Sequence, residues 1–400
     1  MMKLNFYTFI AIVLAINLVG CKSDDCPPNV VDNTSPIVWK KAFEKTDLSS
    51  SPMYFNGSVI VGHPSDEAVY KVYAYDAISG DTLWQQSIDM LGKFEPNFKD
   101  EVFLIGDKVI LSEAHDLCVI DANTGDILWY KTKIGLNSRC CEIDGFLYRS
   151  DEVNNNISTL YRFDINTGNE EKLFTINRTE YGSNYSPGLL MPIKWTHPSG
   201  DEILVLQNRS YGWFTDMESK MDILAWNLTA DSMLWYRESL DGFSSTARPA
   251  ISGNKVYFYG DHHAYCINPA NGETIWKYFI GNGAEDDFNT ANILIVDDKL
   301  IVKPNNDHMY AVNKETGEQI WFNEDTGASP GLLILHKDTI WFCSAGIYSI
   351  DANTGEKLID DWTNNYKGSW LFPVAHHPTN GYIYTSDASY LYCLDPRYMK

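Results

Sequence analysis

The chain is expected to fold as an all-β, eight-bladed β-propeller of four-stranded antiparallel blades, its ring closed by an N-terminal strand pairing with the C-terminal blade. Three observations predict this. One short motif recurs along most of the chain, anchored at Asp76, Asp121, Asp164, Asn227, Asn268, Asn313, Asp351 and Asp395. Successive anchors lie 38 to 45 residues apart, except for one interval of 63. The apolar runs before the anchors alternate at period two, whereas a helical repeat would need a period near 3.6.

The complete motif is an alternating apolar run, Asp or Asn, three residues, Gly, three residues, Trp. Four copies carry every part: Asp76, Gly80, Trp84; Asp121, Gly125, Trp129; Asn268, Gly272, Trp276; and Asn313, Gly317, Trp321. Three are degenerate. Asp164 keeps Gly168 without a Trp, Asn227 has Asp231 for Gly and then Trp235, and Asp351 keeps Gly355 but has Ile359 at the Trp position. Each part has a physical reason. The Asp or Asn bonds forward to the turn backbone, the Gly takes a positive φ, and the Trp fills the gap between wedge-shaped blades.

The eighth copy ends at Asp395 without its last strand. Ile37 to Phe43 supplies one, and such closure leaves no open end to the ring. Before it, residues 1–20 read as a signal peptide: a basic start at Lys3, then an apolar run from Leu4 to Val19. Leu18-Val19-Gly20-Cys21 resembles the bacterial lipobox, which makes Cys21 the lipidation site. Acyl chains there would hold the domain on a bilayer surface. Lys22-Ser23-Asp24-Asp25 resembles the export tag of surface lipoproteins in the Bacteroidetes, implying an outer-membrane anchor and exposure at the cell surface. Residues 21–35 form the lipidated tether and residues 36–400 the propeller.

The net charge of −22, with 53 acidic against 31 basic residues, argues against nucleic acid and against lying flat on anionic lipid. The eight cysteines show no paired CxxC metal spacing. No nucleophile elbow, phosphate loop or His-Glu metal helix is present. No catalytic residue and no metal site is therefore assigned.

The Asp-Ala-Asn-Thr-Gly segments at Asp121 and Asp351 are similar to the repeat of the pyrroloquinoline quinone (PQQ)-like propellers. That resemblance implies one of two branches. The quinoprotein dehydrogenases bind PQQ and calcium over the propeller axis. The non-catalytic branch includes the propeller lipoprotein of the outer-membrane β-barrel assembly machinery, and its compact loops and length are closer to this chain. Cys140-Cys141 resembles the adjacent pair that the dehydrogenases set against PQQ. The same pair also reads as a small buried hydrophobe beside a thiol paired elsewhere, with Cys118 as one partner.

The expectation is a non-catalytic binding platform for a protein or glycan, without a cofactor. PQQ-dependent oxidation and glycan binding for polysaccharide uptake are the alternatives. Two contact regions are singled out. Arg248 falls among the residues that open the inner strands, where a guanidinium could clamp an anion at the channel mouth. The long interval holds an insertion, Arg209 to Asp216, whose Tyr211, Trp213 and Phe214 form an aromatic cluster suited to a partner. His115, His262, His263 and His308 read as turn residues, and Glu285-Asp286-Asp287 as a solvated loop.

Overall fold

The structure is a computed structural model that describes residues 35–46, 49–65, 69–88, 102–113, 116–132, 139–152, 157–177, 186–211, 220–242, 245, 247–260, 262–281, 291–304, 306–327, 331–344, 346–362 and 373–399. Residues 1–34, including Cys21, lie outside them. Eight antiparallel sheets follow one another along the chain. We number them as blades: 1 (53–88), 2 (102–132), 3 (140–177), 4 (186–241), 5 (250–279), 6 (294–323), 7 (334–362) and 8 (375–394 with 37–42). Blade 8 takes its outermost strand, Ile37–Ala42, from the N-terminal end and its other strands from the C-terminal end.

The motif folds as its chemistry requires. Asp121 Oδ1 accepts from the backbone N–H groups of Asn123 at 2.7 Å and Thr124 at 3.2 Å. The N–H of Gly125 returns to the Asp121 carbonyl at 2.9 Å, with Gly125 at φ +82°. The same turn recurs at Asp76 and Asp351. The N–H of Ser79, with that of Ile78, holds the Asp76 carboxyl below its usual range.

A bulge then turns the Trp outward. In blade 2, Ile120 pairs with Ile127 and Val119 with Trp129, so Leu128 has no partner. Leu83, Leu234, Ile275, Ile320 and Leu358 are the matching extra residues in five other blades. All six are exposed aliphatics. Their exposure follows from the bulge and needs no binding partner to explain it.

Each Trp lands on the glycine of the next blade. A Cβ built on Gly80, Gly125, Gly168, Gly272, Gly317 or Gly355 would lie 2.6–2.9 Å from the ring of Trp39, Trp84, Trp129, Trp235, Trp276 or Trp321 respectively. Each indole N–H also donates to the carbonyl following that blade's anchor. Trp84 Nε1 reaches Ala122 O at 3.2 Å, and Trp235 Nε1 reaches Pro269 O at 2.8 Å. The glycine thus serves two needs, a left-handed backbone and a bare surface for the neighbour's ring.

This explains the degenerate copies. A copy without Trp is followed by a copy without Gly. Blade 3 lacks the Trp and blade 4 has Asp231 (φ +49°); blade 7 has Ile359 and blade 8 has Met399 at the Gly position. The first of these seams is filled by Phe174 stacked on Trp226, with centroids 4.4 Å apart. The second is filled by Ile359, Met399 and Trp341 within one apolar cluster.

Blade 4 departs from four strands. Its inner edge is broken into Ser186–Leu189 and Ile193–Thr196, both paired to Glu202–Tyr211. That long strand corrects one expectation. Arg209 and Tyr211 belong to a regular strand and not to a turn, because Arg209 pairs with Met221 and continues the ladder. Trp213 and Phe214 lie outside the described residues.

Replacing Gly125 by Ala adds a Cβ against Trp84 at a left-handed position, and stability should fall by about 2–4 kcal/mol. Asp231→Gly relieves a left-handed residue at a seam without a facing Trp, and stability should hold or rise by up to about 1 kcal/mol. Urea unfolding followed by circular dichroism measures both. Equal losses in the two variants would contradict the pairing of Trp and Gly across seams.

Candidate functional site

The segments that open the inner strands converge on a cavity of about 320 Å³. Its walls come from six successive blades: Phe103 and Ile105 from blade 2, Arg139 to Glu142 from blade 3, Met191 from blade 4, Ala247 and Arg248 leading into blade 5, Asn292 leading into blade 6, and Leu332 leading into blade 7. Side chains from so many blades meet only around the ring axis. Most of the wall is apolar.

Arg248 is brought there by Pro249, which favours an extended backbone in the residue before it. Its guanidinium spans two blades. Nε donates to Pro192 O at 2.9 Å and Nη2 to Glu142 O at 3.3 Å. The sequence placed this Arg at the channel mouth; its role as a brace between carbonyls was not legible there. Asn292 makes a similar link, donating to Leu333 O at 3.1 Å and accepting from Leu333 N at 2.6 Å. Glu142 turns away to its own hairpin, where Oε1 accepts from Gly145 N at 2.6 Å.

Cys140 and Cys141 are consecutive residues of the strand Cys140–Ile143, so their side chains leave on opposite faces. Cys140 belongs to the cluster holding Ile110 and Leu117 of blade 2. Cys141 belongs to the cluster holding Leu189 and Leu206 of blade 4, and its Sγ lies 3.6 Å from Pro192 O. All six described cysteines are buried free thiols, including Cys118, so the Cys118 pairing considered from the sequence is not formed. Burial pushes the Cys141 thiol up to about 11 and the Cys118 thiol up to about 12.

These residues do not make the pocket that PQQ and calcium need. The two sulfurs face opposite blades, and the Glu and Asn of the wall are engaged in backbone links. Among the described residues, no Trp lines the cavity. Among the described residues, no three His, Cys, Asp or Glu side chains are grouped to hold a metal ion.

Other expected sites remain apart. His262 and His263 flank Asp241, whose side chain is 6% exposed, with Nδ1–Oδ distances of 3.4 Å and 3.6 Å. His308 packs on Tyr310 and Phe322 in blade 6. His115 and Glu285 to Asp287 lie outside the described residues. Lys303, fully buried just after a blade 6 strand, carries no signal in the sequence. Its Nζ donates to Asn306 O at 3.0 Å and Gly327 O at 2.6 Å, and burial pulls its amine down to about 7.

Burial lifts the thiols of Cys118, Cys140, Cys141, Cys266 and Cys393, so they hold little thiolate at pH 8, and Cys343 is shielded by burial. The six described cysteines should resist alkylation in the native protein and react together once it unfolds. Mass mapping of iodoacetamide adducts checks this, and fast native labelling of Cys140 or Cys141 would mark a reactive pair.

A family model described as "Outer membrane protein assembly factor BamB" matches residues 29–138, 71–174 and 219–361, more than half of the chain. No curated protein sequence matches. Among solved structures, BamB from Moraxella catarrhalis aligns with a TM-score of 0.56 at 14% identity, covering 90% of this chain and 97% of that one. A quinohemoprotein alcohol dehydrogenase from Pseudomonas putida gives 0.61 at 11% identity, covering 90% and 76%. Sqt1 from Saccharomyces cerevisiae gives 0.63 at 12% identity, covering 90% and 100%. At these identities the likeness to solved structures speaks to the fold alone.

Proposed function

From the premise that this chain belongs to the family of the outer membrane protein assembly factor BamB, we propose that it is a non-catalytic propeller lipoprotein that binds a protein partner at the outer membrane. One observation carries the reading. Among the described residues, the polar side chains Arg248, Asn292 and Glu142 around the axis are engaged with backbone groups instead of converging as an acid–base pair or ligand set. Arg248 braces two carbonyls, Asn292 bridges to the next blade, and Glu142 caps its own turn. A propeller so arranged offers a rigid frame, and its loops are free to carry recognition.

The anchor in this proposal is Cys21, acylated after removal of residues 1–20. The acidic tether residues Asp24 and Asp25 support exposure at the cell surface. The aromatic insertion with Tyr211, Trp213 and Phe214 is the proposed contact for the partner, or for a glycan if the protein serves polysaccharide uptake. Among the described residues no helix is long and apolar enough to cross a membrane.

The oxidoreductase reading keeps one observation in its favour, the adjacent Cys140 and Cys141 on the axial wall. With PQQ and calcium added, dye reduction with alcohols and sugars should show no turnover. Turnover would overturn the non-catalytic reading. Cys21→Ser should move the protein from the membrane fraction to the soluble fraction, while retention there would remove the lipid anchor from the proposal. Replacing Trp213 and Tyr211 by Ala should lower capture of the partner by tenfold or more, the loss expected of aromatic anchors.

A further inference from the structure

Among the described residues, the brace made by Arg248 uses two of its three guanidinium nitrogens. Nε and Nη2 are occupied, but Nη1 has no acceptor among the described residues. No described carboxylate pairs with this guanidinium, although acidic residues outnumber basic ones by 53 to 31. Glu142, the acidic residue of the cavity wall, has one oxygen held by Gly145 N. Arg139 adds a second guanidinium to the same wall. Arg248 is half-buried, and a guanidinium without a counter-charge beside an apolar wall is a ready partner for an anion.

The rest of the wall says what kind of anion. Phe103, Ile105, Met191 and Leu332 present apolar surface, which hydrated inorganic ions do not match. The volume of about 320 Å³ lies at the lower end of small-molecule pockets, about 300–1,000 Å³. A few apolar walls with one fixed charged group are the usual make-up of such sites.

We propose that the axial cavity binds a small organic carboxylate, its carboxylate on the Nη1 edge of Arg248 and its apolar body against Phe103, Ile105, Met191 and Leu332. The bonds to Pro192 and Glu142 hold the guanidinium in place, so no rearrangement is needed on binding. Because those carbonyls belong to blades 4 and 3, the ligand also bears on the seam between them.

The test uses the mature chain with three probes: 2-naphthoate, 2-naphthalenemethanol and inorganic phosphate. Affinity is read by calorimetry and position by the ¹³C methyl shift of Met191. Naphthoate should bind at least about tenfold tighter than the alcohol, as a charge-assisted bond requires, and should move the Met191 signal. Phosphate at the same concentration should leave that signal in place. Arg248→Gln should bring naphthoate down to the affinity of the alcohol while the alcohol is unchanged, which shows the cavity intact. If that variant does not fold, the wild-type ratio decides alone. Equal affinity for naphthoate and alcohol, an unmoved Met191, or a response to phosphate equal to that of naphthoate would overturn the proposal. None of these readouts depends on the partner or on PQQ, so the platform reading stands or falls separately.

Discussion

The ring depends on one contact, an indole ring laid on a bare glycine of the next blade. Blades are wedges, and two wedges meet along a seam that widens outward. A large flat ring fills that space, and its N–H satisfies a turn carbonyl that the ladder leaves over. Six seams use it, from Trp39 on Gly80 to Trp321 on Gly355. The other conserved parts of the repeat serve this contact. The Asp or Asn builds the turn that offers the glycine, and the bulge before the Trp directs the ring to the neighbour instead of into its own sheet. Trp39 extends the scheme across the chain ends: the N-terminal strand brings the indole that the eighth copy lacks.

The two seams without the contact lie between blades 3 and 4 and between blades 7 and 8, on opposite sides of the ring. They divide it into two sets of four blades, each with three riveted seams. Blades 4 and 8, which follow those seams, share a second feature. Their inner hairpins turn through His197-Pro198-Ser199 and His377-Pro378-Thr379, in place of the tighter turns used elsewhere, such as Asn56-Gly57 and Asp144-Gly145. In both, the His Nδ1 meets the backbone N–H two residues on, at 3.1 Å and 3.3 Å. The next buried Ile, Ile203 or Ile383, follows six residues after the His in each. Two independent features with one two-fold pattern point to a ring organised as two like halves.

The architecture was legible in the sequence because it rests on local chemistry repeated many times. A turn such as Asp-Ala-Asn-Thr-Gly carries its geometry in five residues, and a steady period turns one weak signal into eight. The missing strand of the last copy even located its replacement within Ile37 to Phe43, where the strand Ile37–Ala42 forms. The site was far less legible. Arg248, Asn292 and Lys303 act through main-chain carbonyls and amides of distant segments, and carbonyls carry no sequence signature. Cys140-Cys141 shows how little adjacency says about joint action. Adjacency in sequence suggested joint action, whereas the period of a strand sends the two thiols into different seams. Arg209 and Tyr211 looked like loop residues because the interval was long, but the extra length went first into lengthening a ladder.

Closing the ring also limits what the axis can do. Inner strands from many blades crowd one line, and each strand start brings backbone groups that need partners. Side chains able to reach them are drawn into that task, as Arg248 and Asn292 are. A side chain committed in this way is held rigidly but has few donors or acceptors to spare. Chemistry that needs several converging, adjustable groups is then hard to build there. Recognition that needs only one fixed charge and apolar walls remains open, because the bonds that close the ring also orient the remaining valence. The structural demand on the axis and its capacity to bind are thus set by the same few hydrogen bonds.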